Sequence, residues 1–373
     1  MHDDQLREQF TTWAQPLQEA ARPPALDVLR RRGRRRTAFR AATLGLAVLG
    51  AVAAIALSGF PQLGRSPAAA AAAPGVPRYA VALGQHYKGG QAASVLDMVT
   101  GKVLGAVAVP VAGSDFEWVT AASDDRTFVL ADQSPSLVIR FSLLHLAASG
   151  KPGRLTRLDV PPLHRSQIYG MALTADASKL AVAWQNIPVG PVTSRISVTT
   201  LATGATRTWT SAQGGADNVS WAGDRTLAFN WEDTVRDARS GVRLLDTATA
   251  GTSPLDSRLL IPASTRTATL SSPGDPLITQ DGSTVFAVMA SGAKTAIASF
   301  SARTGKLKAV LTPAPASQSL WYCGVLWTDP GGRHLITQCA TTQDSIEGTR
   351  STRIHLPRLI PASPIGPANT FAW

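Results

Sequence analysis

The amino-acid sequence predicts an all-β protein: a β-propeller of about six four-stranded blades, lying outside one N-terminal transmembrane helix. Three observations lead to this prediction. An uncharged stretch of 20 residues lies near the N-terminus, strand and turn patterns recur about every 50 residues after Arg78, and helical periodicity is nearly absent from the recurring region. A chain of 373 residues with 44% hydrophobic content can also bury a large core.

The chain begins with a short tail, residues 1–36, in which one amphipathic helix is predicted. Leu6, Phe10 and Trp13 follow each other at helical spacing. A segment this short cannot bury a core of its own. Its helix is therefore expected to fray in water, to lie with its apolar face on the inner leaflet of a membrane, or to contact a cytoplasmic regulatory protein.

An arginine cluster follows this helix. Residues 1–40 hold nine arginines and five acidic residues, within a chain whose net charge is +11. No aromatic or polar side chains that read bases lie between the arginines, so nucleic acid is not predicted as a partner. The cluster consists of Arg30, Arg31, Arg32, Arg34, Arg35, Arg36 and Arg40.

The segment that follows is predicted to be a transmembrane helix, assigned to residues 37–60. Ala41 to Phe60 carries no charge over 20 residues, and a helix of that length crosses about 30 Å of hydrocarbon. The arginine cluster precedes this stretch, whereas Arg65 alone follows it closely. The positive-inside rule therefore predicts a cell-membrane protein with a cytoplasmic N-terminus and an extracytoplasmic C-terminal domain.

Two alternative interpretations of the span involve cleavage. Ala68 to Ala73 contains A-x-A sites for a signal peptidase. The stretch "RRTAF" is close to a twin-arginine export signal, although Phe39 lies one place late. Either interpretation makes the protein a secreted propeller.

The outer domain, residues 78–373, follows an Ala/Pro-rich linker at residues 61–77 and consists of repeats. Five stretches each place a polar turn with Asp or Gly before an apolar strand, at spacings of 47 to 59 residues. Turn, strand, turn and strand at this period are typical of propeller blades, which bury their faces by stacking on neighbours. The stretches are "ASDDRTFVLAD", "LTADASKLAVAW", "SWAGDRTLAFNW", "ITQDGSTVFAVM" and "WTDPGGRHLITQ".

Two of these stretches, "LTADASKLAVAW" and "ITQDGSTVFAV", together with the "TG" turns that follow them, resemble the WD-repeat-like blades of TolB-type propellers. This chain has Ala-Asp-Ala, Asp-Arg and Asp-Gly where that family prefers Pro-Asp-Gly. The resemblance covers about residues 78–360 and implies the fold, with no activity attached. The overall layout also resembles single-pass actinobacterial envelope proteins, some of them anti-sigma-like regulators, but the tail lacks the cysteines of the zinc-binding form.

Two long-range pairings are expected in the outer domain. A propeller ring closes when a strand from one end of the chain joins the sheet of the other end, and "NTFAW" at Asn369 to Trp373 or the strand near Tyr79 is suited to this role. Cys323 and Cys339 lie opposite each other in a hairpin folded about Gly331, within the reach of a disulfide bond. Two buried free thiols are the alternative.

The sequence shows no catalytic motif, and neither a cofactor nor a metal is predicted. The six histidines are scattered, and no G-x-S-x-G elbow or phosphate-binding glycine loop is present. We therefore expect a binding or sensing propeller with a protein or cell-envelope ligand, which regulates a cytoplasmic partner such as a sigma factor. The alternative is a propeller enzyme acting on envelope sugars or peptides. Candidate ligand contacts are Asp115, Glu117, Asp217, Asn218 and Trp321.

Overall fold

A computed structural model of the chain describes most of the outer domain. The described residues are 77–83, 93–98, 100, 102–187, 193–234, 236–249, 251–265, 271–291, 294–311, 320–328, 334–341, 350–355, 358–361 and 370–372. The predicted tail, arginine cluster and span lie outside these residues, as does the linker up to Val76. Within the described ranges, none of the helices has the length and apolar character needed to cross a bilayer.

Twenty-five strands and two short 3-10 helices, Asp237–Arg239 and Pro254–Asp256, make up the regular structure of these residues. The strands form six antiparallel sheets, numbered here in chain order. Sheet 1 contains β1 (Tyr79–Leu83), β2 (Ala93–Asp97), β3 (Val103–Val107) and β25 (Thr370–Ala372). Sheet 2 contains β4 (Asp115–Ala121), β5 (Thr127–Gln133), β6 (Val138–His145), β7 (Thr156–Arg157) and β8 (Leu163–His164). Sheet 3 contains β9 (Ser166–Leu173), β10 (Lys179–Asn186), β11 (Ser194–Thr200) and β12 (Thr206–Ser211).

The remaining three sheets repeat the same order of strands along the chain. Sheet 4 contains β13 (Gly214–Ala222), β14 (Thr226–Asp233), β15 (Gly241–Asp246) and β16 (Arg258–Pro262). Sheet 5 contains β17 (Ser271–Ile278), β18 (Thr284–Ser291), β19 (Lys294–Ser301) and β20 (Leu307–Leu311). Sheet 6 contains β21 (Leu320–Thr328), β22 (His334–Thr341), β23 (Arg350–His355) and β24 (Arg358–Pro361).

The prediction of an all-β propeller is confirmed, but the prediction of about six four-stranded blades is corrected. Among the described residues, five sheets are four-stranded blades, and sheet 2 instead has five strands. Its outer edge is divided, because β7 pairs with one part of β6 and β8 with another. Pro161 and Pro162 lie between β7 and β8, and neither has a backbone N–H to donate to a continuous ladder.

The sheets are arranged in a ring. One edge strand of each sheet contacts the edge strands of the two neighbouring sheets, in the closed order β25, β4, β9, β13, β17, β21 and back to β25. We call these six the innermost strands, because only strands nearest the axis of a propeller meet in this way. The remaining strands of each sheet lead outward.

The hydrophobic core lies between neighbouring sheets, as a stacked-blade architecture requires. Phe128 and Leu130 of sheet 2 pack with Tyr79 and Val81 of sheet 1. Other clusters join sheets 2 and 3, 3 and 4, and 4 and 5. Each large apolar side chain buried in this way stabilises the fold by about 1.5–3 kcal/mol. Because both faces of a sheet are buried, the strands have near-continuous apolar runs such as "TLAF" in β14.

The aspartates of the repeated turns have a structural role. The Asp176 carboxylate accepts hydrogen bonds from the Thr174 hydroxyl at 2.8 Å and from the Ser178 backbone N–H at 3.0 Å. Hydrogen bonds from Ser178 and Thr174 lower the pKa of Asp176. Asp124 and Asp281 accept hydrogen bonds within their own turns. The recurring aspartates therefore hold the tight turns between the first two strands of their sheets.

The predicted ring closure is present. The C-terminal strand β25 pairs with β1, with Val81 opposite Ala372 and Leu83 opposite Thr370. It thereby supplies the innermost strand of sheet 1, whose other strands come from the start of the outer domain. In the hairpin of β21 and β22, Cys323 lies opposite Cys339, which is the register that the predicted disulfide needs. The bond itself stays a prediction.

We predict that deletion of Asn369 to Trp373 lowers the melting temperature of the full chain by at least about 5 °C. The deletion removes the backbone partner of β1 and opens the ring between sheets 1 and 6. Circular dichroism at 218 nm during heating measures the change. Deletion of Trp373 alone, which leaves β25 intact, is the control, and an unchanged melting curve for the longer deletion would contradict the closure by β25.

Candidate functional site

A ring of β-bulges surrounds the axis of the propeller. Five of the six described innermost strands, all except the three-residue β25, interrupt their pairing at similar places. A bulge turns side chains away from the regular alternation, and bulges are frequent beside functional sites. The residues at the bulges are Glu117 on β4, Tyr169 on β9, Asn218 and Val219 on β13, Ser272, Pro273, Asp275 and Pro276 on β17, and Trp321 and Leu326 on β21.

Two of the bulges are joined directly across the sheets. The Asn218 side-chain amide donates a hydrogen bond to the Asp275 carboxylate, linking β13 to β17. Both residues have positive φ angles, 48° for Asn218 and 46° for Asp275. Asn and Asp tolerate this left-handed conformation better than other residues with a side chain. The two bulges therefore present an amide and a carboxylate at the same place on the axis.

The approach of β9 to β13 depends on a glycine. A Cβ atom on Gly170 would lie 2.7 Å from the backbone nitrogen of Asn218 and 2.8 Å from that of Val219. Both atoms belong to backbone and cannot rotate away. Gly170 thus permits the contact that positions the Asn218 bulge.

The innermost strands carry an acidic surface in a basic protein. None of the six contains lysine or arginine, whereas they contain Asp115, Glu117, Asp217 and Asp275. All four acidic residues are partly exposed. With the chain at a net charge of +11, the axis therefore has the opposite sign to the protein as a whole.

All five ligand contacts predicted from the sequence lie on innermost strands. Asp115 and Glu117 are on β4, Asp217 and Asn218 on β13, and Trp321 on β21. The side chain of Trp321 lies outside the described part of the structure. A ligand role for these residues stays a prediction.

Three further polar residues of the axis were not singled out from the sequence. Tyr169 and Gln167 lie on β9, where the tyrosine hydroxyl donates to the Gln167 side chain at 3.1 Å, and Asp275 lies on β17. A signal for two of them was present. The turn aspartate of the same sheet follows seven residues after Glu117, after Tyr169 and after Asp217. It follows six residues after Asn218 and after Asp275.

One carboxylate is buried without a hydrogen-bond partner. Asp132 on β5 is 0% exposed, and neither of its carboxylate oxygens has a hydrogen-bond donor. Burial raises the pKa of Asp132, while the positive charges of Arg157 and Arg140 act in the opposite direction. Asp132 pairs with Phe116 of β4, so it lies one strand away from the acidic axis. Such a group costs stability and is more frequent near functional sites than elsewhere.

Within the described ranges, no three His, Cys, Asp or Glu side chains come together in a way that could hold a metal ion.

Comparison with known proteins identifies the fold. No family model matches the chain, and no curated protein matches its sequence. TolB from Acinetobacter baumannii is similar in structure, with a TM-score of 0.53 and 11% identity over 79% of this chain and 66% of that one. The chain thus has a TolB-like β-propeller fold.

Two other similar structures have TM-scores below 0.5. A putative TolB from Agrobacterium tumefaciens has a TM-score of 0.49 and 13% identity, over 79% of this chain and 92% of that one. The periplasmic gluconolactonase of Pseudomonas aeruginosa has a TM-score of 0.47 and 17% identity, over 76% of this chain and 81% of that one. At these identities the comparisons concern the fold alone.

We predict that Gly170→Ala destabilises the propeller by about 1–3 kcal/mol, since the new methyl group meets backbone atoms of the Asn218 bulge. Urea unfolding followed by tryptophan fluorescence measures the loss. Gly274→Ala on β17 is the matched control, because a Cβ there meets nothing within 4 Å. Equal midpoints for the two variants would contradict the close approach of β9 and β13.

We predict that Asp132→Asn stabilises the protein at pH 7 by about 1 kcal/mol or more, because it removes a buried charge. Because the pKa of Asp132 is raised in the folded state, the folded state binds more protons than the unfolded state at pH values just above 3.8, the ordinary pKa of aspartate. Wild-type stability is therefore lost as the pH rises through this range, and the advantage of the variant disappears at lower pH.

Urea unfolding at pH 7 and at about pH 3.5 tests the sign of this effect. Asp159→Asn changes the net charge equally at an exposed position of the same region and serves as the control. A variant less stable than wild type at pH 7 would show that the Asp132 carboxylate has a stabilising partner.

Proposed function

We propose that this protein is a membrane-anchored binding propeller that takes up an extracytoplasmic ligand at its axis and regulates a cytoplasmic protein through its tail. The acidic residues of the innermost strands carry the proposal. Asp115, Glu117, Asp217 and Asp275 lie on strands without any cation, and Tyr169 and Asn218 add hydrogen-bonding groups. This combination favours a ligand with ammonium or guanidinium groups, such as a basic segment of an envelope protein or peptide.

The anchored arrangement is supported by the sequence. The uncharged stretch from Ala41 to Phe60 follows the arginine cluster, and the linker at residues 61–77 leads into the propeller. The Leu6, Phe10 and Trp13 face would then lie on the cytoplasmic side. A sigma factor is the partner that the layout suggests, because regulators of this layout combine a short cytoplasmic tail with an outer sensing domain.

Crosslinking in cells tests both halves of the proposal. Residues 1–373 and residues 30–373 are expressed separately in an actinobacterial host, and the crosslinked proteins are identified by mass spectrometry. We expect a cytoplasmic protein to be captured only by the full chain, and the same envelope ligand to be captured by both chains. Capture of envelope proteins alone would make the tail a topogenic device and would contradict a regulatory role.

The axis is tested with charge variants of the full chain. We predict that Glu117→Gln with Asp217→Asn lowers capture of the envelope ligand at least about tenfold, since two charges that face a cationic ligand are lost. Asp159→Asn with Asp224→Asn removes the same charge from exposed positions outside the innermost strands, and should leave capture unchanged. Equal losses in both variants would contradict binding at the axis.

The enzyme alternative gives a different result in the same experiment. A bound ligand recovered chemically unchanged supports a binding propeller. Conversion of the ligand by the wild-type chain, abolished by Glu117→Gln, would show that the acidic axis catalyses a reaction instead.

A further inference from the structure

The outer edge of sheet 2 carries an exposed group of cations. Lys151, Arg154, Arg157 and Arg165 are all exposed, and the segment from Lys151 to Arg165 contains one acidic residue, Asp159. We call these four residues the basic edge. They are distributed along the divided outer strand of sheet 2, which Pro161 and Pro162 interrupt: Lys151 and Arg154 precede β7, Arg157 lies on it, and Arg165 follows β8.

The basic edge is distinguished by its density of charge, four cations within the fifteen residues from Lys151 to Arg165, and not by a lack of partners among the described residues, a property that Arg236, Arg303 and Lys306 share. None of its four side chains forms a hydrogen bond or ion pair in the described part of the molecule. By contrast, Arg225 binds Asp246 at 2.7 Å and Lys179 binds Asp224 at 3.3 Å. Arg157 lies near the buried carboxylate of Asp132, where its charge opposes the rise in pKa that burial causes, and the charges of Lys151, Arg154 and Arg165 are available to an anionic partner.

The position of the basic edge relates it to the membrane tether. The described chain enters the propeller at β1, where the Tyr79 hydroxyl donates a hydrogen bond to the carbonyl of Ala148 at 2.8 Å. Gly150 packs against the Tyr79 ring, and its φ of +79° suits glycine. The entry strand therefore lies directly beside the start of the basic edge.

We propose that the basic edge docks on the anionic phospholipid surface of the membrane in which the chain is anchored. This inference rests on the anchored arrangement of the proposed function. A linker of residues 61–77 spans at most about 60 Å when extended, so the propeller stays near the bilayer. The side of the propeller at which the tether enters is then the nearest to the lipid headgroups. Lys151 and Arg154 lie on this side, whereas Arg165 lies at the opposite end of β6.

Docking on the membrane would also leave the acidic axis free. Anionic headgroups attract cations and repel carboxylates, so the lipid surface selects the basic edge over the innermost strands. The opposite signs of the two surfaces thus separate membrane contact from ligand binding.

Hydrogen–deuterium exchange of the full chain in lipid nanodiscs tests the proposal. Discs of phosphatidylglycerol with phosphatidylcholine are compared with discs of phosphatidylcholine alone. We expect exchange of residues 147–165 to be slower on the anionic discs, with exchange of β10 unchanged. The protection should disappear near 0.5 M salt, where the Debye length falls to about 4 Å.

Two triple variants that remove the same number of positive charges distinguish protection caused by the basic edge from protection caused by the net charge. Lys151→Gln with Arg154→Gln and Arg157→Gln should lose the protection, because each cation contributes about fivefold to attraction by an anionic lipid surface. Lys306→Gln with Arg236→Gln and Arg303→Gln changes exposed residues of sheets 4 and 5 and should keep it. Equal protection in both variants would overturn the assignment to the basic edge.

The remaining outcomes also decide the question. Equal exchange on anionic and neutral discs overturns membrane docking while leaving the anchor intact. Protection on neutral discs by added soluble polyphosphate, without protection by anionic discs, would identify a polyanion site instead of a lipid surface. Failure of the chain to copurify with any disc overturns the anchor of the proposed function and the docking with it.

Discussion

The structure depends on the fact that no sheet of the ring buries both of its faces alone. Phe128 and Leu130 of sheet 2 are covered by sheet 1, and Trp209 and Trp231 lie in the core between sheets 3 and 4. Each sheet therefore needs two neighbours, and the first sheet obtains its second neighbour only when the chain returns. The pairing of β25 with β1 supplies that return. The local turns and strands are stable in this protein because the ring is closed.

The same packing creates the candidate site. Six innermost strands converge at the axis, and their close approach is possible where a side chain is missing, as at Gly170. The bulges relieve the crowding and redirect residues such as Glu117, Tyr169 and Asn218 from the regular alternation of a strand. Polar groups at the axis are thus a consequence of how the sheets meet, and they form the part of the propeller best suited to a ligand.

Charge is distributed unevenly over this fold. The innermost strands hold carboxylates and no lysine or arginine, one strand away lies the buried carboxylate of Asp132, and the outer edge of sheet 2 holds a group of exposed cations. Elsewhere in the propeller opposite charges are brought together, as in the ion pair of Arg225 with Asp246. Carboxylates gathered on one surface and cations on another are better explained by partners of the opposite sign.

The sequence by itself determined the fold class, the repeated turns, the return of the C-terminal strand and the opposed positions of Cys323 and Cys339. These features follow from local alternation and from spacing along the chain, which a reader of the sequence can measure. It also singled out Asp115, Glu117, Asp217 and Asn218 as candidate ligand contacts, all of which lie on innermost strands. The divided edge of sheet 2 escaped the pattern, because two prolines there act on a pairing that the spacing does not reveal.

Only the tertiary structure decided that Asp124 holds a turn while Glu117 lies at the axis, that Asp275 meets Asn218, and that Asp132 is buried. The physical reason is that these outcomes depend on neighbours contributed by other sheets, about fifty residues away, and on bulges that shift the register by one or two residues. Neither the neighbours nor the shifts are encoded in a short stretch of sequence, because they arise when the sheets pack around a common axis.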